Sequence, residues 1–177
     1  MSEPRGCWSA VNQPVVVTHS NTDVHVADAS TDIVSIKNCD KVVFLVNQGL
    51  GATGYATLEI QACDNFVGTT TANVPFHYRV SATSGGVRTG NPALGAFTAC
   101  ASTGYAPGAA VSYCLTVIEV DVDDIVAAGR NHTTAFDAVG VRLFSDEDDS
   151  TAVQGAIIAI CVANRYQDDV NVPDLLS

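Results

Sequence analysis

Two hydrophobic stretches separated by a glycine-rich break carry the strongest structural signal in this chain. Val42-Val43-Phe44-Leu45-Val46 is continuous, apolar and rich in β-branched residues. It is too short for a typical helix, so it predicts a strand buried on both faces. Tyr55 to Cys63 alternates, placing Ala56, Leu58, Ile60 and Ala62 on one side and Thr57, Glu59 and Gln61 on the other. That alternation predicts a strand with one face on a core and one in water. Joined by Asn47 to Gly54, the two read as adjacent strands of a hairpin.

The same period recurs along the chain. Val15 to Thr18, Val24 to Val26 and Thr31 to Ile36 are short strand candidates. Phe76, Tyr78 and Val80 alternate with Pro75, His77 and Arg79. Because proline lacks the ladder donor, this segment is expected at an edge or to begin at Pro75. Tyr113 to Val122 is a further strand with Cys114, Thr116, Ile118, Val120 and Val122 on one face. Asp123 to Gly129 predicts one or two helical turns, an aspartate accepting free N–H groups at the start and Gly129 supplying a left-handed cap. Val139, Val141 and Leu143 face inward on the next strand with Arg142 outward, and Ala152 to Val162 gives a central apolar strand. Ser81 to Pro107, rich in Gly, Ser, Thr, Ala and Pro, predicts a long connection that is either functional, as an interaction loop or extension, or mobile.

These elements predict an all-β single domain over 1–177: a jelly-roll-like β-sandwich of about 7–9 strands, one short helix and long loops. Residues 1–12 and 167–177 are expected to be extended arms. Hydrophobic residues make up 47% of the chain and charged residues only 15%. That balance provides ample core and points to an exterior partly covered by another protein.

The net charge of −11 arises from 19 acids against 8 bases, and Lys37 and Lys41 are the two lysines. Nucleic-acid binding needs clustered cations to neutralise phosphates, so nucleic acid is not an expected partner. No apolar signal core follows Met1 to Gly6, and the run Ala156 to Ala163 is too short to span a bilayer. A membrane role is not expected, and folding in a cytoplasm is. On that compartment argument Cys7, Cys39, Cys63, Cys100, Cys114 and Cys161 are expected to be free, mostly buried thiols.

No catalytic constellation emerges. Gly49-Leu50-Gly51-Ala52-Thr53-Gly54 spells the dinucleotide fingerprint, but a strand pattern follows it where a phosphate site needs a helix N-terminus. Asp146 to Asp149 lacks the spacing of a calcium loop and reads as a solvated turn. Asp121, Asp123 and Asp124 read as helix N-terminal charge. His19, His25, His77 and His132 have no metal-ligand spacing, and no nucleophile motif is present. Asn131-His132-Thr133 matches a glycosylation acceptor, which has no meaning without secretion. No catalytic, cofactor-binding or metal residues are therefore assigned, no cofactor is expected, and an enzyme is not expected.

The ordered succession Lys41 to Gly49, Ala56 to Asp64, Val74 to Arg79, Val117 to Asp121, Val139 to Leu143 and the apolar strand ending Ala163-Asn164-Arg165-Tyr166 resembles small virion structural proteins of tailed bacteriophages, of the decoration or cement type. The resemblance implies a non-enzymatic subunit that binds the major capsid protein, stabilises the head and forms a symmetric homo-oligomer. It also implies a location in the virion after assembly in the host bacterial cytoplasm. A tail-tube or head–tail joining protein is the alternative within that resemblance, and a carbohydrate- or receptor-binding β-sandwich is the alternative outside it.

Overall fold

The computed structural model describes residues 12–17, 29–37, 39–48, 57–81, 94–107, 114–146 and 155–163. Their alternating apolar positions build two antiparallel sheets packed face to face, with one helix. The strands are β1 (Asn12–Val17), β2 (Ala29–Ser30), β3 (Val34–Ser35), β4 (Cys39–Gln48), β5 (Thr57–Cys63) and β6 (Thr71–Val74). They continue as β7 (Phe76–Val80), β8 (Thr98–Cys100), β9 (Leu115–Asp121), β10 (Gly140–Asp146) and β11 (Gly155–Ala163). Helix α1 (Val122–Asn131) follows β9 without a break.

One sheet has six strands in the order β1-β11-β4-β9-β7-β8. The other has five, β2-β10-β5-β6, with β3 also on β10. Setting β2, β7 and β8 aside, the chain crosses repeatedly between the sheets, staying in one only from β5 to β6, so that β1-β11-β4-β9 faces β3-β10-β5-β6. That order is a jelly roll, and it keeps most strands away from open edges.

The wrapping corrects the hairpin expectation. β4 pairs β11 and β9, whereas β5 pairs β10 and β6, so the two opening strands lie in different sheets. The glycine-containing link, residues 49–56, lies outside the described residues. β4 is also not sealed on both sides. Val42, Phe44 and Val46 are fully buried inward, while Val43 and Leu45 are half-buried on the outer face.

β5 departs from expectation in the opposite sense. Its inward Leu58, Ile60 and Ala62 are fully buried, and its outward Glu59 and Gln61 are buried too. In a sheet interior, long side chains on neighbouring strands decide exposure, and Asn73 and Arg142 close over these positions.

Pro75 marks a change of sheet. β6 ends at Val74 in the five-stranded sheet and β7 begins at Phe76 in the six-stranded one. A residue without an N–H costs no ladder bond at such a corner. β7 then lies between β9 and β8, so it is not an edge. Part of the expected long connection is also regular: β8 pairs β7, and Leu58 and Tyr105 exchange backbone hydrogen bonds of 2.8 and 2.9 Å. Residues 82–93 of that connection lie outside the described residues.

The core joins Phe44, Ile118 and Ile157 from the larger sheet to Leu58, Ile60 and Leu143 from the smaller. α1 adds Ile125, which is fully buried. The helix is longer than expected because nothing in Ala127 to Asn131 forbids it. Gly129 is inside it rather than in a left-handed cap, and the C-cap is His132 at φ −66°. Its lack of a side chain admits Phe136: a Cβ there would lie 2.8 Å from the Phe136 carbonyl oxygen. Asp121 occupies the N-cap without a capping side-chain hydrogen bond, while Asp123 and Asp124 fill the first turn. Val139 precedes β10 and is exposed, so it does not share the inward face of Val141 and Leu143.

Candidate functional site

Residues opposite each other in antiparallel strands share a face, so the register gives the outer surface of each sheet row by row. On the six-stranded sheet one row runs Ile160, Val43, Glu119, His77 and Ala99. The next runs Ile158, Leu45, Val117 and Arg79. Its centre is apolar although the core lies on the opposite side. Ile160 and Val117 are buried, and Val43, Leu45, Ile158 and Leu115 are half-buried.

Charged and aromatic groups border this centre. Lys41 Nζ lies 3.0 Å from Glu119 Oε2 and 3.8 Å from Asp121 Oδ1. The Glu119 hydrogen bond is the main reason the Lys41 ammonium is held above its usual range, with burial opposing and both carboxylates adding to it. Toward β8, the His77 ring stacks on Phe97 at 4.6 Å with the planes 2° apart. The Arg79 guanidinium sits 4.7 Å from the same ring centre. Phe97 is 46% exposed. Arg79 Nε is sequestered with no hydrogen-bond partner among the described residues, and its guanidinium lies against the ring in a cation–π contact.

The outer surface of the five-stranded sheet has the opposite character. Arg142 Nε donates to Gln61 Oε1 at 3.0 Å, and Asn73 Nδ2 donates to Glu59 Oε2 at 2.8 Å. Its polar groups satisfy one another. A surface already paired internally offers a partner little, whereas a half-buried apolar sheet face gains from being covered.

The tip of the β5–β6 hairpin carries a second apolar feature. Asn65 Oδ1 accepts from the N–H groups of Val67 and Gly68, both at 2.8 Å, and Thr70 N–H donates to Asp64 Oδ1 at 3.0 Å. This fixes a loop that leaves Phe66 41% and Val67 83% exposed.

The histidines do not gather. His77 stacks on Phe97, and His132 Nδ1 sits 3.2 Å from the Thr134 N–H beyond α1. His19 and His25 lie outside the described residues, as do Glu147, Asp148 and Asp149 of the acidic turn. Among the described residues no cluster of three or more His, Cys, Asp or Glu is placed to hold a metal ion, and no helix is long and apolar enough to cross a membrane. Cys39, Cys63, Cys100, Cys114 and Cys161 are free thiols, Cys100 half-buried and the others buried.

The outer apolar face was missed from sequence because Val42 to Val46 reads as a run buried on both sides. The signal that identifies it is Val117 opposite Leu45: both fall off the core period of their own strands. The expected arms, 1–12 and 167–177, lie outside the described residues except Asn12, which opens β1. No family model, curated protein or solved structure matches the chain.

Proposed function

We propose that the chain is a non-enzymatic virion structural protein that covers the outer shell of a tailed-phage head and reinforces it, docking through the outer face of its six-stranded sheet. The observation that carries this reading is the second apolar surface formed by Val43, Leu45, Val117, Ile158 and Ile160, backed by a charged content of only 15%. A sheet that buries one face in the core and holds the other half-covered is suited to a subunit in an assembly. Jelly rolls are also frequent among viral shell proteins, an association of fold that adds weight without fixing a role. Modest contacts repeated over a lattice suffice for retention through multivalency. The net charge of −11 favours a basic patch on the shell subunit.

Quantifying the chain in purified particles tests the proposal. Decoration requires a copy number commensurate with the shell lattice, and particles lacking the chain should break at lower temperature. A few copies per particle would transfer the role to the tail or head–tail joint, and absence from particles would overturn a virion role. The carbohydrate-binding alternative gains no support from Phe97, whose ring is already engaged by His77 and Arg79.

A further inference from the structure

Cys39 opens β4 and Cys161 lies near the end of β11, two strands that pair along most of their length. The register shifts between Val162 and Ala163, so Cys39 stands opposite Ala163 while Val42 stands opposite Cys161. This irregularity draws Cys39 one residue closer to Cys161 than an unbroken ladder would. Both side chains point inward and converge on one acceptor. Cys39 Sγ lies 3.8 Å and Cys161 Sγ 3.7 Å from the Ser35 carbonyl oxygen on β3.

Sharing this acceptor brings both sulfurs to one point of the core, where their environments differ. Interaction with the Cys161 thiol holds the Cys39 thiol below its usual range, against burial and the nearby Asp40 charge. The Cys161 thiol is pushed up, first by that same interaction and then by burial. The thiolate is the reactive form, so Cys39 is the attacking sulfur and Cys161 the resolving one. Both residues are buried, Cys39 at 8% and Cys161 at 3% exposure.

We propose that Cys39 and Cys161 are a dithiol modification site that a small peroxide converts to a disulfide joining β4 to β11. Cys39 sulfur attacks one peroxide oxygen and breaks the O–O bond, giving a sulfenic acid and one water. Cys161 sulfur then displaces the sulfenic hydroxyl, which leaves with the Cys161 proton as a second water. Two thiols are oxidised by two electrons and one hydrogen peroxide is reduced to two waters. The bond would close a long loop from Cys39 to Cys161, and a cross-link restricts the unfolded state more as the loop lengthens. This inference does not depend on the virion reading.

The test treats the full chain with hydrogen peroxide, alkylates the remaining thiols after denaturation and maps the peptides by mass spectrometry. The expected product is one cross-link joining the Cys39 and Cys161 peptides, lighter by two hydrogens, which dithiothreitol reverses. Cys39→Ser and Cys161→Ser should each abolish it. Should either variant fail to fold, the wild-type map alone decides. Alkylation of both cysteines after peroxide treatment would overturn the site, as would a sulfinic acid at Cys39 without a cross-link, or linkage of either to another cysteine.

Discussion

Lys41 and Glu119 face the same side of neighbouring strands in the middle of the six-stranded sheet, their ammonium and carboxylate 3.0 Å apart. Both are partly exposed, at 34% and 24% of their side chains, so solvent weakens the pair. Lys41→Met should lower stability at neutral pH by roughly 0.2–1 kcal/mol. The folded-state pKa of Lys41 is raised, so its contribution is complete below the ordinary value of 10.5 and disappears as pH rises through the folded value. Urea denaturation at neutral and alkaline pH should therefore show the gap between wild type and variant closing at high pH.

A second alkaline transition belongs to Tyr105. Burial, followed by its neighbours Tyr78, Cys114 and Cys100, pushes its phenol up to about 12 from an ordinary value of 10.0. The neutral phenol is favoured in the folded state, so its stabilisation is intact below pH 10.0 and lost as pH rises toward about 12. Tyr105→Phe keeps a ring able to stack on Tyr78, 4.0 Å away. That variant should unfold less steeply over this interval, as followed by circular dichroism.

Gly104 has φ +85°, and a Cβ there would lie 2.6 Å from Thr57 Cγ2 and 2.8 Å from the Leu58 carbonyl oxygen. Gly104→Ala should cost roughly 1–3 kcal/mol from backbone strain and loss of the Leu58–Tyr105 pairing. The exposed Thr103→Ala next to it should stay within about 0.5 kcal/mol. Denaturant midpoints of the two variants make the comparison.

Phe44 and Leu45 are successive residues with opposite destinations. Phe44 is fully buried among core residues, and Leu45 is half-buried on the outer face. Phe44→Ala should destabilise the fold by roughly 3–5 kcal/mol. The paired outer substitution Leu45→Ser with Ile158→Ser should leave a folded protein that no longer associates with particles. Co-sedimentation beside a thermal melt separates the two effects, and full retention on particles would sink the docking assignment.

The strand period was legible in β9, although Val122, expected on its inward face, opens α1 instead. Cys114, Thr116, Ile118 and Val120 are buried as their alternation predicts. Sheet membership was not legible, because β4 and β5 would carry the same apolar residues whether they paired directly or lay in opposite sheets. The short-range signal at Pro75 located a boundary but not its meaning, since a missing N–H suits an edge and a corner equally. Gly129 failed as a cap signal for a similar reason: the demand on it comes from Phe136, seven residues on. The apolar outer face was hidden by its own composition, as a run of five hydrophobic residues does not reveal that only alternate members reach the core.

The pairing of β1 with β11 has a mechanical consequence. Asn12 lies opposite Val162 and Val17 opposite Ile157, so the backbone enters β1 and leaves β11 at the same end of the ladder. Tension applied between Asn12 and Val162 would peel the two strands apart one rung at a time, at low force. Tension applied along Thr71–Val80, where one short run of chain belongs to both sheets through Pro75, would have to break several rungs in each sheet at once. The molecule should therefore resist sliding of its layers far better than it resists being opened from its β1 edge.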